Sequence, residues 1–464
     1  MTSSKPRRTR TNTSLLIGLW LGLTCAVGAC VFAGLFWALG GFSPAAPAAK
    51  ATATRSVLPT RPALTVTSPA RPATVAAPTA ATPTAATPTQ GVNNQPPCNF
   101  RPVPASGFAY GVQSHVFVGD NSFWLGVITD KLGFNWVKMQ VRWYDLEKES
   151  TGIFWDVLDG AMDQACQKGL RVMLSVVAAP VWTQANPLPA DQGQKAPPDD
   201  PQKYADFLVK IINRYPGRVG AIEVWNEENL EREWNTAAGV NASDYVALLR
   251  TAYASVKAKD QRILVISGAL SPTGINCNVS FPDCQPSGRP IVVDDVTYLN
   301  KFIDAGGLDY LDCIGTHSNG TNLPPTSDGA NPPPRDGYKF SGPWDNPHYS
   351  WALKSQVETY ASILKGRKQQ CVTEFGYASP VAGKFPPNFG FAQDVTEKQQ
   401  GEYLVEAINW MRDSGLVDMA FLFNLDYGPK GDDPAVDDNV VFSILNKNGT
   451  PRPAFDALSL MRKP

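Results

Sequence analysis

The sequence predicts an α/β fold, a closed parallel (β/α)8 TIM barrel, preceded by one N-terminal transmembrane helix and a Pro/Ala/Thr-rich disordered stalk. Three observations predict it. From Phe108 onward, short β-branched and aromatic runs alternate with longer amphipathic stretches. Residues 15–42 are an almost unbroken apolar run with Thr24 as the main polar exception. Residues 43–97 hold eleven prolines and no acidic side chain, a composition that leaves nothing to pack.

The first element is the basic tail, residues 1–14, with Lys5, Arg7, Arg8 and Arg10. It precedes the apolar run Leu15–Phe42, which exceeds the ~20 helical residues that a bilayer core needs. Positive charge before the span keeps the N-terminus cytoplasmic and sends the remainder outside. A cleaved signal peptide is the alternative, but its apolar region is usually only about 7–15 residues long. Here Val31–Trp37 continues the apolar run directly after Cys30. Residues 43–97 then read as a semi-extended linker, and 98–464 as the barrel domain.

Charge narrows the function classes. The chain carries 41 basic and 42 acidic residues, yet 1–97 has eight basic and no acidic ones, so 98–464 is formally −9. A nucleic-acid binder would carry its positive charge on the folded part, so no nucleic-acid partner is expected. Two of the eight cysteines, Cys25 and Cys30, fall in the anchor. Of the remaining six, Cys277 and Cys284 bracket a short Pro/Asp loop and are the best disulfide candidates in an exported domain. Cys98, Cys166, Cys313 and Cys371 are left without assigned connectivity. Neither the cysteines nor the three histidines have zinc-binding spacing, and the acidic loop 431–438 lacks an EF-hand pattern. No metal and no cofactor are expected.

The predicted strands are Phe108–Val112, Trp136–Trp143, Leu170–Ala178, Gly220–Asn226, Ile263–Ala269, Leu311–Thr316, Cys371–Phe375 and Asp418–Leu425. The predicted helices are Pro201–Arg214, Ser243–Lys259 (capped by Asn241 or Ser243), Val296–Ala305, Ser350–Lys365, Thr396–Ser414 and Ala454–Met461. Thr396 and Gln399 have capping-box spacing. An open doubly wound sheet would need a Gly-rich turn after its first strand, and Phe108–Gln113 does not supply one.

A barrel places its chemistry at the C-terminal ends of strands. The fourth strand exits through Ala221-Ile222-Glu223-Val224-Trp225-Asn226-Glu227-Glu228-Asn229, and the seventh is Cys371-Val372-Thr373-Glu374-Phe375-Gly376. Ionised carboxylates resist burial, so an acid flanked by apolar residues at a strand exit is unusual. Two on one rim suggest separated roles, one protonated and one ionised. Strand parity puts Glu223, Trp225 and Glu227 on one face, and Lys138, Gln140 and Arg142 inward on the second strand. Lys138 is expected to pair with Glu223 deep in the barrel.

Trp-Asn-Glu-x-Asn followed much later by Thr-Glu-Phe-Gly resembles the clan A glycoside hydrolases, closest to families 39 and 5, across essentially all of 106–464. The resemblance implies a retaining β-glycosidase acting on an oligo- or polysaccharide. It makes Glu227 the acid/base and Glu374 the nucleophile, with Asn226 contacting the sugar 2-hydroxyl. Arg142 would hydrogen-bond the nucleophile, His317 would belong to the site at the end of strand six, and Trp182 in Pro180-Val181-Trp182 would be a sugar platform. Trp344, Tyr349 and Trp351 either wall the cleft or pack. The sequence departs from the pattern at Glu228, where the clan usually has Pro. It also has Phe423 in place of a strand-eight Trp, and no Tyr follows His317. These departures bear on specificity more than on reaction class. The expected protein is a membrane-tethered, extracellular, monomeric glycosidase. A non-catalytic carbohydrate-binding protein and a transglycosidase are the alternatives.

Overall fold

A computed structural model describes residues 97–118, 124–187, 195–273, 289–319, 322–332 and 347–464. Eight parallel strands, β1 (Ala109–Gln113), β2 (Trp136–Arg142), β3 (Arg171–Val177), β4 (Val219–Val224), β5 (Leu264–Ser267), β6 (Ile314–Ser318), β7 (Gln370–Phe375) and β8 (Val417–Leu422), form one sheet. Their spatial order is β5-β4-β3-β2-β1-β8-β7-β6. The remaining seam is spanned by parallel bridges Ile266–Cys313 and Leu270–Thr316, and by Asp312 N–H donating to Val265 O at 2.8 Å. The barrel is thereby nearly closed.

Helices return the chain on the outside: α1 (Trp124–Asp130), α2 (Asp156–Gln167), α3 (Pro201–Arg214), α4 (Ala242–Lys259), α5 (Asp295–Asp304), α6 (Leu353–Leu364), α7 (Glu397–Ser414) and α8 (Pro453–Leu460). Local chemistry starts several of them. Asn241 caps α4 by accepting from Ser243 N–H, and Thr396 with Gln399 closes a reciprocal capping box on α7. Helices α1 and α2 are the two that sequence periodicity did not single out.

Inside the barrel, Trp136, Met173, Ala221, Ile266, Cys313, Cys371, Met419 and Phe421 form an apolar plug at the strands' N-terminal half. Gly111 makes room for it, since a Cβ there would sit 2.2 Å from the Phe421 ring. A polar layer lies above the plug, with Lys138, Ser175, Glu223 and His317 all fully buried. Disulfides join Cys98 to Cys166, which ties the N-terminal segment to α2, and Cys313 to Cys371, which ties β6 to β7.

Among the described residues no helix is long and apolar enough to cross a membrane. The expected span Leu15–Phe42, the stalk to residue 96, Cys277–Cys284 and Trp344 lie outside the described residues.

Candidate active site

Two local breaks in strand regularity bring the acids to the barrel mouth. In β7, Cys371 faces inward in the plug, so plain alternation would turn Glu374 outward. The ladder instead shifts register: Thr316 pairs with Val372 but His317 pairs with Glu374, which marks a bulge at Thr373. The bulge returns Glu374 to the interior. After β4, Trp225 and Glu227 both adopt left-handed φ, at 76° and 43°. Such conformations are costly for side chains with a Cβ and are found at functional sites. Trp225 is thereby sent outward, its indole N–H donating to Glu233 O at 2.8 Å. Glu227 turns into the mouth, while Glu228 points the other way, against Gly268 and toward Tyr245. Burial, with the nearby Glu223 and Glu227, pushes the Glu228 carboxyl well above its usual range. Asn229 ties this turn to the next strand, accepting from Ser271 N–H at 2.9 Å and donating to Ser271 O and Val293 O at 3.0 Å.

Glu227 and Glu374 line one cleft of ≈ 880 Å³. His317 stands between them, its Nδ1 3.1 Å from Glu227 Oε1 and 3.8 Å from Glu374 Oε2. Those two distances bound the separation of these carboxyl oxygens at about 7 Å. That ceiling admits the ~5–5.5 Å of double displacement and only the lowest edge of the ~6.5–9.5 Å of single displacement.

The two carboxylates have different partners. Glu374 Oε1 receives Lys138 Nζ at 2.9 Å and Oε2 receives the Asn319 amide at 3.1 Å. Lys138 also pairs with Glu223 Oε2 at 2.9 Å. Burial alone would lower the lysine, but the carboxylates of Glu223 and Glu374 outweigh it and hold Lys138 above its usual range, as a cation. Glu227 accepts from His317 and, on Oε2, from the Arg232 guanidinium. Burial would raise Glu227, yet Arg232 and His317 together depress it far below the usual carboxylate range. His317 loses by burial and gains more from Glu374 and Glu227, so it is raised and carries a proton more readily than an ordinary imidazole.

Asn226 lines the cleft beside Glu227, and its Oδ1 is buried without a hydrogen-bond partner among the described residues. Gln113 Oε1 is in the same condition. Both residues line the cleft, and unmatched buried acceptors of this kind call for a donor. His115 and Phe423 complete this side, the histidine resting 3.5 Å from Asp426 Oδ1. Trp351 lines the cleft, whereas the Tyr349 hydroxyl is committed to Asp295 at 2.7 Å.

Two sequence assignments are corrected. Arg142 is the last residue of β2, already past the rim, so its inward parity leads into solvent. Its side chain is 50% exposed and pairs with Asp145 at 3.4 Å. It borders a neighbouring depression rather than the cleft holding both acids. Trp182 falls in a short helical turn (Val181–Thr183) that lays its ring edge-on to Trp143 and gives its N–H to Glu147 O at 3.1 Å. It is not among the residues lining the cleft. The contact to Glu374 expected of Arg142 comes instead from Lys138 and Asn319. Sequence reasoning missed Asn319, Arg232 and Gln113. Of these, Gln113 and Asn319 carried a signal, as polar residues at strand exits.

No family model matches the chain, and no curated protein matches it. Solved structures do. A family 39 glycoside hydrolase from the gut symbiont Bacteroides cellulosilyticus WH2 is 18% identical with a TM-score of 0.51, covering 78% of this chain and 65% of that one. The chain thus spans slightly under two thirds of that protein's length. A family 39 β-xylosidase from Caulobacter crescentus is 16% identical, TM-score 0.51, over 77% of this chain and 72% of that one. A glucosidase from Croceicoccus marinus is 12% identical, TM-score 0.51, over 79% and 68%. What the chain shares with these glycoside hydrolases at such identities is the barrel fold.

Proposed function

We propose that this protein is a retaining β-glycosidase that hydrolyses O-glycosidic bonds of an oligo- or polysaccharide. The observation that carries the reading is the placement of Glu227 and Glu374 on either side of His317 in one cleft, within about 7 Å of each other. The family 39 fold supports it. Glu374, oriented by Lys138 and Asn319, attacks the anomeric carbon while Glu227 gives its proton to the departing oxygen. The C–O bond breaks as the glycosyl-carboxylate bond forms. Water then attacks the same carbon, Glu227 takes the water's proton, and Glu374 leaves as carboxylate, so the anomeric configuration is retained. Asn226 and Gln113 offer acceptors to the sugar hydroxyls.

The location belongs to the same proposal. The apolar run Leu15–Phe42 after a basic tail would anchor the barrel in the membrane with its catalytic part outside. Two disulfides in the described residues favour an oxidising compartment.

The test is a panel of aryl β-glycosides and β-glycans. Turnover that disappears in Glu374→Ala and returns with azide is expected. Binding without cleavage of any member would favour a carbohydrate-binding role, and products enlarged by a sugar acceptor would identify a transglycosidase.

A further inference from the structure

Each oxygen of Glu227 already holds a cationic or imidazole partner. Oε1 faces His317, whose ring is fully buried and whose backbone carbonyl accepts from the Gln356 amide at 2.7 Å. Oε2 carries the Arg232 guanidinium. A group that is to protonate a leaving oxygen must bring one of its own oxygens within hydrogen-bond reach of it. His317 cannot clear the way, being packed against Glu223 and Glu374 from the barrel interior. Arg232 can, because its side chain is 60% exposed.

The backbone beneath Arg232 is pinned. Glu231 N–H donates to Ile291 O at 2.7 Å, Glu233 N–H to Leu230 O at 3.0 Å, and Trp225 holds Glu233 O. Only the arginine side chain needs to move. Two carboxylates lining the same cleft, Glu233 and Asp438, already act on its charge. Burial and the nearby Glu227 and Glu374 push Glu233 up to about 7, the signature of a carboxyl crowded by like charges, and a second cation contact would relieve that crowding.

We infer that Arg232 is a displaceable latch on Glu227: a sugar ring entering the leaving-group side lifts the guanidinium off Oε2 toward Glu233 and Asp438, and only then is Glu227 free to take up and donate a proton. Arg232 is in this sense a positioning residue. The inference rests on the acid/base role of Glu227 proposed above. Glu227 is met by Arg232 and Glu233 from its own segment, by His317 from β6 and, within about 7 Å, by Glu374 from β7, while Lys138 and Glu223 lie behind His317 and Glu374 in the barrel interior. Arg232 is the one cation among them that stands in solvent.

The experiment measures pH profiles of the full chain with phenyl and 4-nitrophenyl β-glycosides. The profile of kcat/KM reports the free enzyme and that of kcat the bound one. In the wild type the alkaline limb of kcat/KM should fall at least one pH unit below that of kcat. Arg232→Gln should raise the kcat/KM limb to meet the kcat limb, and Arg232→Lys should keep them apart. An Arg232→Gln profile with the gap intact, or with both limbs moved equally, overturns the latch. Wild-type protein inactive on every glycoside would instead count against the glycosidase reading. A readout independent of turnover covers that case. Carboxyl ¹³C NMR titration, with Glu227→Gln identifying the resonance, should show Glu227 titrating at least one unit higher in Arg232→Gln. No change there removes the latch.

Discussion

Lys138 Nζ lies 2.9 Å from Glu374 Oε1, reaching it from the second strand through the middle of the barrel. The same nitrogen is 2.9 Å from Glu223, so one buried cation serves two buried carboxylates. Lys138→Met would leave both acids facing each other without a counter-ion. Breaking such a buried pair costs about 3–5 kcal/mol, which should show as a lower urea midpoint together with a loss of kcat. Lys138→Met combined with Glu223→Gln removes one of the two charges and should regain part of the stability, while kcat stays low because Glu374 still lacks its cation. Recovery of kcat in the double variant would mean that Lys138 serves only the fold.

The two acids should separate cleanly by azide rescue. Glu227→Ala should lose ~10²–10⁴-fold on glycosides with poor leaving groups and much less on dinitrophenyl glycosides, which need no proton. Azide should then give a glycosyl azide of retained configuration, because it attacks the glycosyl-enzyme. In Glu374→Ala azide takes the place of the nucleophile, so its product should be inverted. NMR of the azide products checks both, and an exchange of the two outcomes would reverse the assigned roles.

How much of this was legible in the sequence depends on what each residue obeys. The eight strands were visible because β-branched and aromatic runs answer to local preference and burial alone. Glu227 and Glu374 were legible as acids at strand exits, but the reason they face one another was not. Parity places Trp225 on the same face as Glu227, whereas the left-handed turn at Trp225 sends that ring to the helical side. The bulge at Thr373 leaves no mark in Cys371-Val372-Thr373-Glu374. Arg142 misled for the opposite reason: alternation gives its direction correctly and says nothing of the strand ending there. Arg232 sits in a loop whose return path is set by distant contacts, such as Glu231 on Ile291.

His317 and Glu227 should shape stability against pH in opposite directions. The folded value of His317 lies above the ordinary 6.5, since Glu374 and Glu227 outweigh its burial. Its contribution is complete below pH 6.5 and is lost as pH rises through that folded value. Glu227 is depressed below the ordinary 4.5, so its contribution is present above pH 4.5 and is lost as pH falls through its own folded value. From these two groups alone urea midpoints should hold between about pH 4.5 and 6.5, while the raised carboxyls of Glu228 and Glu233 add a decline that begins above pH 4.5. His317→Gln should flatten the alkaline decline and leave the acid side in place. An unchanged alkaline slope in that variant would assign the decline to other groups.

The disulfides differ in exposure, and this predicts an order of reduction. Cys313 and Cys371 lie in the barrel plug, 3% and 1% exposed, where a thiolate reaches them only if β6 and β7 part. Cys98 and Cys166 are half-buried where the chain enters the domain. Mild dithiothreitol followed by alkylation and mass spectrometry should label Cys98 and Cys166 before Cys313 and Cys371, which stay protected until urea unfolds the barrel. The bridges close loops of 68 and 58 residues. By chain entropy each restrains the unfolded state by about 4 kcal/mol. Replacing Cys98 and Cys166 with Ser should cost a comparable amount and leave the cleft and its turnover untouched, because that bridge is anchored on α2. Replacing Cys313 and Cys371 should cost more than chain entropy alone, since two sulfur atoms leave the plug and the seam between β6 and β7 carries both His317 and Glu374. A loss of turnover below the thermal transition, seen in the second variant and absent from the first, would tie the geometry of the catalytic pair to the packing beneath it.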